Sequence, residues 1–503
     1  MKRKSITESS VILNLLAIVT ALVPALRSAE CAEPIQLEPG VHQLFLDDVM
    51  VAERVNVTST MHPPRKFDGN PVLMPKPGVE DGALLYGTVL RDESRLFRMW
   101  YATGRVGTKT SWALAYATSK DGIRWKKPDL DVMPKLDNPA NIVVAHPHIK
   151  NYGEPFSVIL DRRDPDPNRR YKLVYRYLTP LPEMKALGTT TAVSPDGIHW
   201  TPAGSVRVSK ILDVGHFLFD KLKNKYAVYG RLYDGRRKVQ LSLSDDFQSW
   251  SDPVLVADIN EKDPPGTHLY SMGVFIDGGQ YVGLTQHYMR GTTHLLDVEL
   301  SASRDGLTWN RVHQGKKFIP CGGPGEWDRF NNSICCQPVR VGGELWFYYG
   351  SRTYRHGGYH GPDRGTEDDT TSRARIGGTV DKRGGPPPFR GIRSAVGLAK
   401  LRVDGYVSLD ASFDGGSVTT VPLLLSGDKL HLNAIARFGE IVVEILGPNG
   451  KPVAGGVSEP VKADGVDLEV SWSDELPTAF SGREPVQLRF TLRNARLYSY
   501  WLR

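Results

Sequence analysis

Cysteine is scarce, four residues in 503, too few to staple a chain of this length into a disulfide framework. Cys31 follows Glu30 at the end of an N-terminal segment, a poor context for lipid attachment. Cys335 and Cys336 are neighbours in a strand pattern, so only one of them faces a core, and Cys321 has two open readings, a bridge to either or a plain buried thiol. No CxxC or Cys/His spacing is present, so no metal site is assigned. Equally absent are a Gly-rich phosphate loop, a Gly-x-Ser-x-Gly elbow and a His-Glu-x-x-His helix, which leaves nucleotide, esterase and zinc-protease chemistry without support. There is no Lys/Arg-rich stripe and hence no nucleic-acid surface. No convincing long helix is found, and the one long apolar run, Val11 to Leu26, is interrupted by Asn14.

That run follows Lys2, Arg3 and Lys4 and leads to small residues around Ala25, Ala29 and Ala32. It is short for a bilayer span and reads as a secretory signal over residues 1–32, which makes the mature chain secreted or periplasmic with no membrane span. Its removal takes away four cations and two carboxylates and lowers the net charge from +7 to +5. A moderate positive balance points to an anionic partner such as a charged polysaccharide, against the plainer reading of a solvated basic surface.

What is abundant is glycine, 50 residues, with 35 prolines, the composition of a loop-rich β protein. One phrase occurs four times: Ser119-Lys-Asp121-Gly122-Ile-Arg-Trp125, Ser194-Pro-Asp196-Gly197-Ile-His-Trp200, Ser244-Asp-Asp246-Phe247-Gln-Ser-Trp250 and Ser303-Arg-Asp305-Gly306-Leu-Thr-Trp309. Asp-Gly between alternating apolar runs is a hairpin signal, because Gly accepts φ > 0 and the Asp carboxylate caps nearby N–H groups. The tryptophans are 75, 50 and 59 residues apart, the scale of one propeller blade. The carboxylates of these turns are therefore structural.

Each turn closes a module of three period-2 runs, and a fifth module ends in Asp404-Gly405-Tyr406. The fold class expected is all-β, a five-bladed β-propeller over residues 41–409 followed by a β-sandwich over 410–503. The sandwich reads as a packing module. A Gly-, Arg- and Pro-rich stretch from Arg355 to Phe389 interrupts the fifth module and is either disordered or folded over one face.

In a propeller the innermost strands surround the channel and the residues entering them meet at one rim. Those entrances carry Glu80 with Asp81, Glu154, Asp213, His268 with Tyr270, and Glu326 with Asp328. Carboxylates from different blades suit glycosidic cleavage, in which one protonated group assists the leaving oxygen while an ionised one drives water or attacks the anomeric carbon. His216, His287, Arg290, Arg352 and His356 lie near strand ends of the later modules and join Glu154, His268 and Tyr270 as candidate sugar contacts.

Asn70-Pro71-Val72-Leu73, Arg98-Met-Trp-Tyr101, Arg169-Arg-Tyr-Lys172, Gly325-Glu-Trp-Asp328, Trp346-Phe-Tyr-Tyr349 and Asp404-Gly405-Tyr406-Val-Ser408 carry a resemblance. With the repeated turns, they make the chain similar to the five-bladed propeller glycoside hydrolases, in particular secreted bacterial proteins of the family 32/43 type. The resemblance implies a glycosidase with three acidic roles: Glu80 or Asp81 as base or nucleophile, Asp213 as stabiliser or acid, and Asp328 or Glu326 as a further candidate. No cofactor is implied, although the resemblance allows a calcium ion held in the channel by a histidine. The Trp-Met-Asn-Asp-Pro block and the Glu-Cys pair of invertase-type members are absent, and Arg163-Asp164-Pro165 reads as a hairpin turn. A non-catalytic glycan-binding or scaffold propeller is the alternative; it would show aromatics and histidines at the rim and carboxylates tied to cations.

Overall fold

The computed structural model describes residues 33–503 except 81, 105–111, 131, 133–139, 145–154, 178–187, 204–213, 291, 335–336, 354, 357–393, 428, 473–481 and 483. Asp81, Glu154, Asp213, Cys335, Cys336, the signal segment and most of the Arg355–Phe389 stretch fall outside the described residues. Among the described residues the single helical element is a 3-10 turn at Pro167–Arg169. The protein is a β-propeller joined to a β-sandwich.

Antiparallel meanders follow one another in chain order. The first sheet contains Leu84–Arg91, Phe97–Gly104, Trp112–Ser119 and Ile142–Val144. The second contains Pro155–Leu160, Tyr171–Tyr177, Gly188–Ser194 and Thr201–Pro202. The third contains His216–Asp220, Lys225–Tyr233, Arg237–Ser244 and Val254–Ala257. The fourth contains Thr267–Asp277, Gln280–Met289, Leu296–Ser303 and Asn310–Arg311. In the fifth, Asn331–Ile334 and Val339–Val341 pair with Glu344–Arg352, which pairs with Ser394–Arg402. Its outermost strand is Arg65–Lys66, from the other end of the propeller sequence. The ring is thus closed by the chain's own N-terminal part. Neighbouring first strands touch through side chains, with Val158 N donating to Thr88 Oγ1 at 2.9 Å and Phe217 N to Ser157 Oγ at 3.0 Å.

The repeated turns join the third and fourth strands at the outside of each sheet, and their glycine is a lock between sheets. The Gly122 carbonyl accepts from Tyr348 of the fifth sheet at 2.8 Å, Gly197 from the indole of Trp100 in the first at 2.7 Å, and Gly306 from Tyr229 in the third at 3.0 Å. A Cβ at Gly197 would stand 2.5 Å from Trp100 Cζ2, so the small residue is needed for space as well as for its φ of 78°. In the copy with Phe247 the side chain packs in one buried cluster with Val174 of the second sheet and Phe217 and Tyr226 of the third, and Lys172 Nζ lies 5.7 Å from its ring centroid. Phe247 accepts a φ of 64° to do so.

Strand pairing ties the first strands after residue 41 to the C-terminal sheets. Val51–Val55 pairs with Gly416–Thr420, Thr58–Met61 with Val407–Ala411, and Gln43–Leu44 with Ala495–Leu502. Residues 43–61 therefore cover sandwich edges that would otherwise stand open, and no repeat signal marks them in the sequence. One sandwich sheet runs Asp464–Glu469, Leu430–Ile435, Ala495–Leu502, Val407–Ala411, Thr58–Met61; the other runs Val51–Val55, Gly416–Thr420, Gln487–Arg493, Glu440–Leu446, Pro452–Val457. The junction is Asp404, which accepts from His42 and Ser499, each at 2.6 Å, while His42 stacks on Trp501. One continuous apolar core runs from Phe275 and Tyr349 in the propeller to Leu432 and Leu497 in the sandwich.

Candidate functional site

The starts of the first strands and the ends of the second strands meet at one mouth of the propeller. There Leu84 and Tyr86 of the first sheet, Val214 of the third and Tyr270, Tyr288 and Leu296 of the fourth form one buried apolar cluster. Arginines stand on its rings. The Arg231 guanidinium lies 4.6 Å from the Tyr270 centroid, Arg237 lies 5.4 Å from Tyr270 and 5.2 Å from Tyr288, and Arg352 lies 5.9 Å from Tyr86. Arg290 donates to Tyr233 at the rim at 3.3 Å. His356 is hydrogen-bonded through Nε2 to the Tyr270 hydroxyl at 2.9 Å, and Arg237 reaches His268 Nδ1 at 3.3 Å.

Burial sets the electrostatics first, and crowded cations add to it. Burial, then Arg237, Arg290 and Arg231, push His268 down to about 4. Burial, followed by Arg352, Arg237, Arg231 and His294, holds His356 well below the ordinary histidine value. Burial and the neighbouring Arg231 lower even Arg237 itself. His216, at the entrance of the third first strand, is buried and pushed down to about 4 by desolvation.

Of the residues singled out in the sequence, His216, His268, Tyr270, Arg290, Arg352 and His356 gather at this mouth. Others do not. His287, which precedes the mouth residue Tyr288, points to the opposite face of its strand. It stands 3.6 Å from Glu299 and 3.9 Å from Asp263 in a buried network with Arg311, which donates to both acids, and Lys317, which donates to Glu299. Burial opposes charge there, but His287, Lys317 and Arg311 hold Glu299 down at about 2.

Glu80 is buried and accepts from Tyr101 at 2.7 Å, from the Lys76 amide at 2.5 Å and from Lys127. Asp328 repeats the pattern one sheet away, with Tyr349 at 2.8 Å and Lys66 at 2.7 Å. Glu326 is exposed and accepts from the Gly323 amide at 2.9 Å. Each of the two buried acids is matched by a lysine and a tyrosine, the arrangement of a structural ion pair. Asp81, Glu154 and Asp213 lie outside the described residues.

Arg231, Arg237 and Tyr86 escaped the sequence reading. The available signal was a cation inside an apolar alternation, as at Tyr229-Gly-Arg231-Leu-Tyr233. Cys321 is a free thiol, with Sγ 3.4 Å from the Leu296 carbonyl. Among the described residues no three His, Cys, Asp or Glu side chains converge on one point. The mouth histidines stand among arginines, so the residues described there do not fit a channel calcium ion.

No protein-family model matches the chain, and no curated protein does. Solved structures similar to it include an N-acetylgalactosamine deacetylase from F. plautii in complex with blood group B trisaccharide, 14% identical, covering 70% of this chain and 96% of that one with a TM-score of 0.44. Another belongs to the GH130 family of mannoside phosphorylases, described as containing glycoside hydrolases that target beta-1,2 mannosidic linkages in Candida mannan. It is 15% identical and covers 68% of this chain and 94% of that one, with a TM-score of 0.43. A fructofuranosidase from Schwanniomyces occidentalis complexed with fructose is 11% identical, covers 88% of this chain and 97% of that one, and has a TM-score of 0.41.

Proposed function

We propose that the protein is an exported glycoside hydrolase acting on an acidic saccharide, a sulfated or uronate-bearing glycan, taken at the arginine-lined mouth. The observation that carries the ligand class is Arg237, set between Tyr270 and Tyr288 with its own charge disfavoured by burial and by Arg231. An acidic group on the ligand relieves that crowding, and the tyrosine faces offer stacking surface to a sugar ring. His268 and His356, kept neutral, supply hydrogen bonds without adding charge.

For the cleavage step, the acids proposed are those that directly precede entering residues of the first three sheets: Asp81 before Gly82, Glu154 before Pro155 and Asp213 before Val214. Val214 itself packs in the mouth cluster. One acid protonates the leaving oxygen; a second, ionised, activates water or attacks the anomeric carbon. Glu80 and Asp328 are left out of this pair because their lysine and tyrosine partners occupy them.

The same locked acids favour a second reading, a propeller that binds an acidic glycan without cleaving it. Product chromatography on sulfated, uronate and neutral polysaccharides separates the two. The proposal expects cleavage of an acidic substrate that falls by about 10²-fold or more in Asp213→Asn, with an unchanged melting temperature. Saturable binding of acidic glycans with no product from any of them supports the second reading; preference for neutral glycans overturns both.

A further inference from the structure

The opposite mouth of the propeller, where the first strands end, is a cavity of about 660 Å³ lined by all the meanders. The first sheet contributes Leu90, Arg91 and Arg95, the second Leu160, Arg162 and Arg163, the third Leu218, Phe219 and Lys221, and the last two Ile276 and Arg340. Six of these side chains are cationic and only two carboxylates, Asp92 and Asp161, line the same space.

Both carboxylates are spoken for by the fold. Asp92 accepts from Ser94 at 2.6 Å, the Leu96 amide at 3.0 Å and Arg98 at 2.8 Å. Asp161 accepts from Arg163 at 2.9 Å and from Tyr226, and lies 3.2 Å from Lys172. Both sit below the ordinary aspartate range: burial opposes the charge, but these donors win. Of the cations, Arg162 pairs with Glu93 and Arg163 with Asp161. Arg91, Arg95 and Lys221 have no acidic partner among the described residues, and Arg340 makes no ion pair there, although its charge acts on the buried Asp277. Three uncompensated cations, joined by Arg340 and lining one depression with Leu90, Leu160, Leu218 and Ile276, give a positive potential focused by low-dielectric walls.

We propose that this second mouth is a binding site for a small polyanion, a molecule carrying two or more sulfate, phosphate or carboxylate groups. The volume falls within the range of small-molecule sites, about 300–1,000 Å³, and the cations come from several sheets, so a ligand with spaced acidic groups engages more of them than a single oxyanion does. The site is separate from the first mouth and does not depend on the glycosidase reading.

The test is calorimetric titration of the full chain at low salt with inorganic sulfate, a disulfated disaccharide, a tricarboxylate and an inositol polyphosphate. At least one multivalent probe binds about tenfold or more tightly than sulfate, and which one binds best identifies the acidic group. The affinity falls with added salt. Lys221→Ala/Arg340→Ala reduces it by about tenfold or more while the melting curve is unchanged; both positions are exposed. Selenate soaked into crystals gives anomalous density in this cavity. Absence of saturable binding by every probe overturns the proposal. So does equal affinity in the double variant, or loss of binding in Arg237→Ala instead.

Discussion

Tyr281 of the fourth sheet donates its hydroxyl proton to Asp220 of the third, 2.7 Å away, and both groups are buried. The relationship recurs from sheet to sheet: Tyr226 donates to Asp161 and Tyr406 to Asp277 at 2.7 Å. The acids ending the first strands of the second, third and fourth sheets are thereby satisfied from outside their own sheets, on the side away from the arginine mouth. Tyr281→Phe keeps the ring and removes the donor, leaving one Asp220 oxygen with only desolvation. A stability loss of about 1–3 kcal/mol is expected, read in urea or thermal melts. An unchanged melting temperature would show that these pairs do not hold the ring together.

The repeated turns make the acid side of the stability curve predictable. Burial acts to raise the Asp305 pKa, but the Thr308 and Leu307 amides, at 2.7 and 2.8 Å, with the Ser303 hydroxyl, hold it down at about 2. Asp121, Asp196 and Asp246 are lowered in the same way. A carboxylate with a depressed folded pKa contributes stability that is complete above its unfolded value near 4, and that contribution disappears as pH falls towards 2. Asp305→Asn should flatten the fall in melting temperature over that window and leave the neutral region shifted by a constant amount. A parallel curve through pH 2–4 would count against the assignment.

The turns also show what the sequence made legible. Ser, Asp and Gly act through local backbone geometry, so their spacing alone marks the outside of each sheet. The partners of the turn glycines, Trp100, Tyr229 and Tyr348, lie 77 to 226 residues away, and no local pattern announces them. The same distinction explains the N-terminal strands, whose partners are in the sandwich. At the site, sequence position brought six named residues to one mouth. It could not distinguish an acid that lines a channel from one neutralised in place, because Lys127 and Lys66 reach Glu80 and Asp328 only through the tertiary fold.

Glu80 provides a direct check of that distinction. Its side chain is fully buried against Lys127 and Tyr101, and burial followed by Glu80 itself raises the Tyr101 phenol well above its usual value. Glu80→Gln removes the charge and leaves Lys127 without its counterion. Breaking such a pair is expected to destabilise by about 3 kcal/mol, with substrate affinity and turnover per folded molecule unchanged. Loss of turnover at an unaltered melting temperature would instead return Glu80 to the catalytic set.

The arginine mouth makes the final prediction, through the titration of His268. Burial and then Arg237 head the causes that push it down to about 4, so in the native protein the ring is neutral at pH 5 and above. The unfolded chain takes up that proton near 6.5. Between these values the unfolded state binds more protons, so this group's contribution lowers stability as pH falls from 6.5 to 4 and is constant on either side. Binding of an acidic saccharide should accordingly be flat from pH 8 to 5.5 and strengthen only towards pH 4. Arg237→Ala has two separable consequences. Loss of a charged hydrogen-bond donor weakens binding at pH 7 by about 10- to 100-fold, and removal of a nearby cation lets the His268 pKa rise towards its ordinary value. A new step should then appear in the binding profile between pH 4 and 6.5, matched by the His268 ring resonances in NMR titration. A wild-type ring that titrates near 6.5, or an Arg237→Ala variant that binds as tightly as wild type, would mean that these side chains do not form the ligand's acidic-group contact.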